Sequence, residues 1–334
     1  MSNSFSTAIV ILTWNDWKNT ICALESILQS NYNNYDIILV DNNSYHNHLS
    51  KIKDWSLNKV FNNDINLKKF TKKKNIKIIN TKKNSIIFNK NKKNIYLIKN
   101  KKNIGLTAGL NIGYNFALKN KYKYIFRVDN DIILEKKTLK NLLQLVENKK
   151  EIAAVSPKIN HGYLINTVWW YNFKMTWFYL KFQKTMNLNK YRITDNSDLR
   201  GIINTDSICG CCSLYRSSSL LKSGLGDEDF FYGPEDIELS YRLSKFGLLK
   251  SNLNSKAFHK IARSSAISGL QVRKYNEIKG FLTLIKKIGS RSDKIVGYTY
   301  FFFRIFYYLL LIKKKNGKET FKGYTKACYD FFKI

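Results

Sequence analysis

The chain has 334 residues, of which 44% are hydrophobic and 14% aromatic; this excludes a disordered protein and predicts one large domain, alone or with a small appendage. Its formal net charge of +33, from 57 Lys and Arg against 24 Asp and Glu, favours an anionic partner such as nucleic acid, a membrane face or a phosphorylated ligand. A surface enriched in lysine explains the same charge, because solvated charge is the usual state of a protein surface. The five cysteines are odd in number and form no disulfide framework, which favours a reducing compartment.

The N-terminal part predicts the opening of an α/β sheet. Residues 7–15, TAIVILTWN, form a continuous apolar run typical of a strand buried on both faces. Apolar residues at helical spacing follow over 17–28, and residues 35–44, YDIILVDNNS, predict a second buried strand. The first run is short and no basic segment precedes it, so a signal peptide is not indicated and a cytoplasmic protein is expected.

A lysine-rich insertion follows the second strand. Residues 61–103 contain 14 lysines and a single acid, Asp64. Within them, residues 94–100, NIYLIKN, predict a strand, and residues 61–95 are expected to form a basic insertion loop. This loop either contacts a membrane or an acidic partner, or it is a solvated insertion without a role.

Glycines introduce the helix predicted over residues 103–120. Gly105, Gly109 and Gly113 are spaced every four residues, so the dinucleotide-binding fingerprint is absent, and no P-loop occurs either. Small residues here would let a ligand approach the backbone and the helix N-terminus, which makes Gly105 and Gly109 candidate ligand contacts. Close packing of the helix on the sheet is the alternative, in particular for Gly113.

Two aspartates follow the apolar part of the next predicted strand, KYIFRVDNDIIL. Alternation along a strand would place Asp129 and Asp131 on the same side, where paired carboxylates offer hard oxygen ligands to Mg²⁺ or Mn²⁺. A pair of surface carboxylates is the alternative. Ligands of open α/β sheets bind beyond the carboxyl ends of the strands, where the sequence also places Thr13, Asn15 and Asp41.

The middle of the chain continues the α/β pattern and then becomes aromatic. After a further helix, residues 152–159, IAAVSPKI, predict another strand. Residues 167–180 are dense in aromatic side chains, among them Trp169, Trp170 and Trp177. These side chains either stack on a saccharide or lipid-linked acceptor or pack in the core.

The segment FFYGPEDIELSYRL predicts a helix that begins near Pro234. Its first turn contains Glu235, Asp236 and Glu238. The helix dipole alone favours acids there; alternatively, one carboxylate faces a cleft and acts as a general base that takes the proton of an attacking alcohol. Farther on, His259 is either a structural histidine or, near two aspartates, a third metal ligand.

Two other groupings suggest no metal site. Cys209 and Cys212 form a C-x-x-C without a second pair, so buried thiols are expected instead of bound zinc. His46 and His48 follow the second strand, where a loop without metal is expected.

The C-terminal part contains an aromatic segment, residues 298–312, and three lysines follow it up to residue 315. The segment has fifteen residues and includes Arg304, whereas a spanning helix needs roughly 20 apolar residues. An interfacial helix with a basic flank is one interpretation. A helix in the core or at a dimer contact is the other.

The sequence resembles the family 2 inverting glycosyltransferases of the GT-A fold, and most closely their bacterial rhamnosyltransferase-like branch. The resemblance covers about residues 6–265 and rests on the order and spacing of VILTWN, ILVDNNS, NIGLTAGLNIG, FRVDNDIIL, AAVSPKI, CGCCSLYRSSSL, FFYGPEDIELSYRLSKFG and AFHKIARSS. It implies an α/β nucleotide-sugar-binding domain over residues 1–265, with a mostly parallel central sheet flanked by helices. Residues 266–334 would form a helical, aromatic-rich extension.

The resemblance also implies roles for individual residues. Asp41 would contact the nucleotide base of the donor. Asp129 and Asp131 would hold a divalent cation, Mn²⁺ or Mg²⁺, together with the donor diphosphate. Asp236 matches the catalytic base of the family's E-D-x-D motif, and Glu235 lies beside it.

Further positions match the family in the same way. His259 matches a histidine that completes the metal site in many members. Asn103, Gly105 and Asn111 match positions that line the donor pocket. Glu238 stands where the family often has aspartate, which leaves the base position intact. The lysine-rich insertion matches no family role.

The expected function is therefore inverting transfer of a hexosyl or deoxyhexosyl group from a UDP-, dTDP- or GDP-linked donor. The acceptor would be a hydroxyl of a glycan, lipopolysaccharide or O-antigen, capsule or glycolipid. The alternative is a basic protein that binds nucleic acid or an anionic membrane without catalysis. Nucleic acid is disfavoured, because neither the C2H2 spacing nor the aromatic RNP pattern occurs. A homodimer and a peripheral location on the inner face of the plasma membrane are both compatible with the aromatic C-terminal segment.

Overall fold

The computed structural model describes residues 6–45, 47–57, 77–80, 94–164, 166–175, 193–196, 198–260, 269–314 and 316–333. Most of the predicted insertion, together with His46 and Trp177, lies outside the described residues. The described strands are β1 Thr7–Thr13, β2 Tyr35–Asp41, β3 Lys77–Asn80, β4 Asn94–Lys99, β5 Tyr124–Val128, β6 Ile132–Leu134, β7 Ile152–His161, β8 Thr167–Trp170, β9 Ile193–Thr194, β10 Ile202–Asn204, β11 Cys212–Arg216 and β12 Leu248–His259.

The described helices alternate with these strands and then end the chain as a group of three. They are α1 Trp17–Leu28, α2 His48–Ser56, α3 Leu106–Lys119, α4 Thr138–Asn148, α5 Ser217–Ser223, α6 Glu235–Leu243, α7 Leu270–Ile288, α8 Arg291–Leu310 and α9 Gly317–Phe332.

One mixed sheet organises the chain, in the order β10-β12-β7-β11-β5-β1-β2-β4-β3. The strands from β5 to β3 are parallel, and β11 lies antiparallel between β5 and β7. Thr13 pairs in register with Asp41, and β5 ends one residue before Asp129. The carboxyl ends of β1, β2 and β5 therefore deliver polar residues to one edge of the sheet, as expected for this α/β class.

Side-chain alternation along the strands builds a separate core on each face of the sheet. Ile9 and Ile11 of β1 face a core completed by helices α1, α2 and α4. Ala8 and Val10 face the opposite core, which contains α3, α5 and α6. Strands buried on both faces carry continuous apolar runs, which is the pattern that predicted them. The observed α/β architecture confirms the predicted fold class.

The three C-terminal helices form a further core of their own, centred on Phe301, Tyr308 and Tyr324. Helix α7 also approaches the end of the sheet, because Gly280 packs directly on the backbone of Gly233 just before α6. At the C-terminal end of α7, Lys287 pairs with Asp229 at 2.6 Å and with Asp227. No helix among the described residues combines the length and apolar character that crossing a bilayer requires.

Three local expectations were wrong. The strand predicted through Leu134 breaks after Val128, so Asp129 and Asp131 lie in a turn, and β6 turns away to pair with β12. Part of the predicted insertion loop is a strand, since β3 pairs with β4. His48 does not lie in a loop but begins α2, where it is buried. In the first two cases a strand pairing determines the local structure.

Substituting Gly280 tests the close approach of α7 to the backbone before α6. A Cβ at position 280 would lie 2.1 Å from the Gly233 carbonyl oxygen, so Gly280→Ala should lower the free energy of unfolding by about 1–3 kcal/mol through overpacking. Alanine otherwise favours a helix, so the exposed Gln271→Ala in the same helix serves as the control. Urea denaturation measures both variants. A Gly280→Ala protein as stable as the parent would contradict this packing.

Candidate active site

A cavity of about 700 Å³ opens at the carboxyl edge of the sheet. Its wall includes the end of β5, the end of β8, the segment before β11, the start of α6, the end of β12 and one side of α7. The lining side chains include Arg127, Asp129, Trp169, Cys209, Cys211, Tyr232, Glu235, Asp236, His259, Arg273, Glu277 and Phe281. Ligand sites in α/β sheets occupy this position, so the cavity is the candidate active site.

A buried arginine connects the two acidic segments of this cavity. Arg127, on β5, is 3% exposed. Its Nε donates to Asp129 Oδ1 at 3.0 Å, and its Nη1 donates to Glu235 Oε1 at 3.1 Å. A charge removed from water requires such partners. One guanidinium therefore holds the end of β5 against the start of α6, although Arg127 and Glu235 are 108 residues apart in sequence.

The Arg127 ion pair also affects Asp129 electrostatically. Burial raises the pKa of Asp129, while the adjacent Arg127 guanidinium pulls it down and the nearby Asp131 pushes it up. Burial alone would lower the pKa of Arg127, but the charges of Asp129 and Glu235 help to keep it well above its usual value. Arg127 therefore remains a cation in the site.

Asp236 faces the cavity from the first turn of α6. Its Oδ2 accepts a hydrogen bond from the Gly210 backbone N–H at 3.1 Å, and its Oδ1 accepts one from the Ile237 N–H at 3.0 Å. Burial and the neighbouring charge of Glu235 raise the pKa of Asp236 to about 7, against the opposing effect of Arg127. A carboxylate with this pKa can exchange a proton near neutral pH.

The close approach of Gly210 explains the small residues of the CGCC segment. A Cβ at position 210 would lie 2.8 Å from Asp236 Oδ2, so only glycine leaves room for the carboxylate. Cys209, Cys211 and Cys212 are all buried as free thiols, in agreement with the buried thiols that the sequence predicts for Cys209 and Cys212. Burial raises the pKa of the Cys211 and Cys212 thiols well above the usual value, so both are neutral packing groups.

The predicted metal ligands are brought together only in part. Asp131 Oδ2 lies 3.2 Å from His259 Nε2, whereas the Asp129 carboxylate turns toward Arg127. Within the described part of the chain, no three His, Cys, Asp or Glu side chains converge as a ready metal cluster. A carboxylate oxygen beside an imidazole nitrogen nevertheless suits Mn²⁺ or Mg²⁺ in ligand chemistry, and His259 Nδ1 is buried without a hydrogen-bond partner.

A buried asparagine that the sequence did not indicate as a site residue organises the loop that carries two predicted donor contacts. Asn42, directly after β2, donates from Nδ2 to Asn103 Oδ1 at 2.8 Å and to the Gly105 carbonyl at 3.0 Å. Its Oδ1 accepts from Asn100 Nδ2 at 3.0 Å and from the Ile104 N–H at 3.2 Å. The predicted donor residues Asn103 and Gly105 therefore shape a loop pinned to the end of β2.

Three other predicted donor contacts lie at, or just beyond, the carboxyl ends of β1 and β2. Thr13 is buried and its Oγ1 lies 3.1 Å from His48 Nε2. Asn15 accepts from the Tyr45 N–H at 2.7 Å, and the fully buried Asp41 accepts from the Ser44 N–H at 3.2 Å. In this arrangement the Asp41 carboxylate caps the turn that follows β2. A base contact by Asp41 stays a prediction.

The remaining donor candidates pack against protein in this structure. A Cβ at Gly109 would lie 2.7 Å from Leu12 Cδ1, so the glycine admits β1 beneath the helix. Asn111 exchanges hydrogen bonds with the Gly226 backbone at 2.8 and 3.0 Å and donates to Glu228 at 3.0 Å. Asn111 thus fixes the loop that leads into α6, and its direct contact with a donor also stays a prediction.

Removing Arg127 tests whether this ion pair holds the site together. Arg127→Met would leave Asp129 and Glu235 without their buried cation, and the free energy of unfolding should fall by about 3–5 kcal/mol. Lys123→Met is the control, because it breaks an exposed pair with Glu147, which contributes less than about 1 kcal/mol. Chemical denaturation compares the two. Equal, small losses would show that the Arg127 network is not what joins the segments.

The family model for glycosyl transferase family 2 matches residues 77–223 of this chain. This range contains Arg127, Asp129, Asp131 and Gly210. Among curated proteins, no sequence match to this chain is found.

Several solved structures share the fold at low sequence identity. The structure of GalNAc-T7 with UDP, GalNAc and Mn²⁺ has 14% identity and a TM-score of 0.59; the match covers 100% of this chain and 58% of that one. TarS 1-349 from S. aureus has 12% identity and a TM-score of 0.53; the match covers 98% of this chain and 80% of that one. The mannosyltransferase PcManGT from Pyrobaculum calidifontis, in complex with GDP-Man and Mn²⁺, has 10% identity and a TM-score of 0.53, with 98% and 86% covered.

At such identities these structures show the fold, which is the GT-A fold. The family-model match over residues 77–223 is to glycosyl transferase family 2, the family that the sequence resembles. Its rhamnosyltransferase-like branch stays a prediction.

Proposed function

We propose that this protein is an inverting glycosyltransferase that moves a sugar from a nucleoside-diphosphate donor to an acceptor hydroxyl, with Asp236 as the general base. The observation that carries the proposal is the Asp236 carboxylate itself. It faces the cavity, two backbone N–H groups hold it in place, and its pKa is raised to about 7.

A difference in ion pairing between the two adjacent acids supports Asp236 over Glu235 as the base. Glu235 is 6% exposed and is tied to Arg127, so its negative charge is already compensated. Asp236 has no ion-pair partner among the described residues and shares its surroundings with that charge. Two neighbouring carboxylates with different environments are the arrangement that separates a structural acid from a proton acceptor. Glu235 therefore acts as a positioning residue in this proposal.

Inversion of the anomeric centre is the result expected when the acceptor hydroxyl attacks the donor directly. An acceptor hydroxyl must lose its proton as it attacks, and a carboxylate within hydrogen-bond reach can take it. Attack on the side opposite the leaving diphosphate passes through an oxocarbenium-like state and inverts the anomeric centre. In the proposed cycle, Asp236 holds the acceptor proton after attack and no residue of the chain becomes glycosylated.

The proposed donor binding rests on residues near the end of β2, at the same carboxyl edge of the sheet. Asn42 fixes the loop of Asn103 and Gly105 beside the end of β2, and Asp41 lies at the end of that strand. A divalent cation bound by Asp131 and His259, with Asp129 beside them, would stabilise negative charge on the donor diphosphate. Two of the structures with this fold contain Mn²⁺, one together with UDP and GalNAc and the other with GDP-Man, which supports metal-dependent donor binding here.

Two substitutions separate the base from the metal ligand. Asp236→Asn should lower the transfer rate by about 10²–10⁴-fold, because a general base contributes that much, while donor binding survives. Asp131→Ala should instead abolish Mn²⁺-dependent donor binding. A thermal-shift screen with UDP-, GDP- and dTDP-sugars, with and without Mn²⁺, measures binding, and product formation with the donor so identified measures transfer. Loss of donor binding in Asp236→Asn would argue against the base assignment.

The raised pKa of Asp236 also predicts a dependence of stability on pH. Because its folded-state pKa of about 7 exceeds the ordinary value of 3.8, the stabilisation from its protonated form is complete below about pH 4 and is lost as the pH rises through 7. Asp236→Asn removes this loss, so at pH 8 it should be more stable than the parent by on the order of 4 kcal/mol. At pH 5 the gain should be smaller.

Chemical denaturation at pH 5 and pH 8 measures this difference. The exposed Glu151→Gln provides a matched amide substitution that should change stability equally at both pH values. A stability difference between Asp236→Asn and the parent that is the same at pH 5 and pH 8 would contradict the raised pKa.

A further inference from the structure

Helix α8 turns an apolar side outward over residues 295–310. Its large exposed side chains are Ile295, Val296, Phe302, Phe303, Phe306, Tyr307, Leu309 and Leu310, with exposed fractions from 45% to 80%. They are called here the outward face of α8. Within residues 295–310, all of which the structure describes, none of the exposed side chains is charged. An ordinary surface helix carries charged and polar residues on this side.

The outward face is continuous. At 100° per residue, its members together with the exposed Thr299 span about 160° of the helix circumference. On the opposite side, Phe301 and Tyr308 are buried against Tyr324 of α9, and the Tyr324 hydroxyl donates to the Phe301 carbonyl at 2.6 Å. The helix is therefore already held in the fold by one side, and its apolar outward face needs a separate explanation.

The charge around this face indicates the kind of partner. Residues 266–334 contain fifteen Lys and Arg against four Asp and Glu. Lys313 and Lys314 are exposed directly after α8, and Lys318 and Lys322 are exposed on α9. A second copy of the chain would bring the same positive charge against these lysines, which disfavours a dimer through this face. An anionic surface is complementary to it.

The geometry fits a helix that lies in the plane of a lipid surface. No described helix qualifies as a membrane span, and Arg304 within α8 donates to the Tyr300 and Tyr308 hydroxyls at 2.8 and 3.1 Å. Interfacial helices combine an apolar, aromatic side with lysines that meet anionic headgroups. The outward face of α8 and its basic flank have this composition.

We propose that the outward face of α8 docks in the headgroup region of an anionic lipid bilayer, with Lys313 and Lys314 against the lipid charges. The proposal does not depend on the proposed function. Its basis is the apolar outward face, the net positive charge beside it and the attachment of α8 to α9.

Vesicle co-sedimentation of the full chain tests the proposal. The protein should bind vesicles of equal parts phosphatidylglycerol and phosphatidylcholine and bind pure phosphatidylcholine weakly, and added salt should weaken the former. Replacing Phe302, Phe303 and Phe306 by serine should reduce the partition coefficient by on the order of a hundredfold. Lys313→Glu with Lys314→Glu should reduce it at least about tenfold. The matched control is Phe246→Ser, which removes an aromatic ring that is 44% exposed outside the outward face.

Each result has a defined meaning. Binding lost in the triple-serine protein but kept in Phe246→Ser supports the proposal, provided that both keep the parent's circular dichroism spectrum. If the triple variant misfolds, the single Leu310→Ser, at a side chain 80% exposed, replaces it. No binding of the parent chain to the anionic vesicles overturns the proposal, as does binding that the substitutions leave unchanged. Sedimentation velocity showing a dimer that the triple substitution dissolves would assign the face to a second copy and also overturn it.

Discussion

One buried cation, Arg127, joins the two acidic segments that line the candidate active site. Its guanidinium is shared between Asp129, directly after β5, and Glu235, which begins α6. Because a buried charge without partners is strongly destabilising, any arrangement that separates these two segments is unfavourable. The relative position of the two acidic segments thus follows from one ion-pair network.

The other features of the site depend on that constraint. With Glu235 fixed by Arg127, the next residue, Asp236, is directed toward the cavity, where Gly210 can donate to it only because position 210 has no side chain. On the far side, Gly280 lets α7 press against the backbone before α6. Helix α7 is therefore part of the wall of the site, and it shares a core with α8 and α9.

Much of this fold could be predicted from local sequence. The apolar runs of β1, β2, β4 and β7 and the helical spacing of α1 and α4 indicate buried strands and amphipathic helices, because burial on one or two faces leaves a periodic trace. Asp129, Asp131 and Asp236 stood out because acids are unusual at the end of a buried strand or have a known pattern at a helix start. Alternation along one strand was nevertheless the wrong reason for pairing Asp129 with Asp131, since a turn separates them.

The features that sequence did not reveal are long-range ones. Arg127 was visible as a charge inside an apolar strand, but its partner Glu235 is distant in the chain and no local pattern connects them. Asn42 was hidden in the same way among many asparagines, although it ties four backbone or side-chain groups of the donor loop. Asn111 matches a predicted donor contact, and no local pattern indicates that it also holds the loop before α6. Tertiary hydrogen bonds of this kind depend on topology and not on spacing.

The most direct test of the account is the ionisation of Asp236 in the intact protein. Carbonyl-¹³C aspartate labelling, with the signal assigned by its loss in Asp236→Asn, allows the carboxyl group to be titrated by NMR without a donor or acceptor. The account predicts a midpoint near pH 7, since burial and the fixed charge of Glu235 raise the pKa to about 7. A midpoint close to the ordinary aspartate value of 3.8 would contradict the proposal that this carboxylate is poised as the proton acceptor.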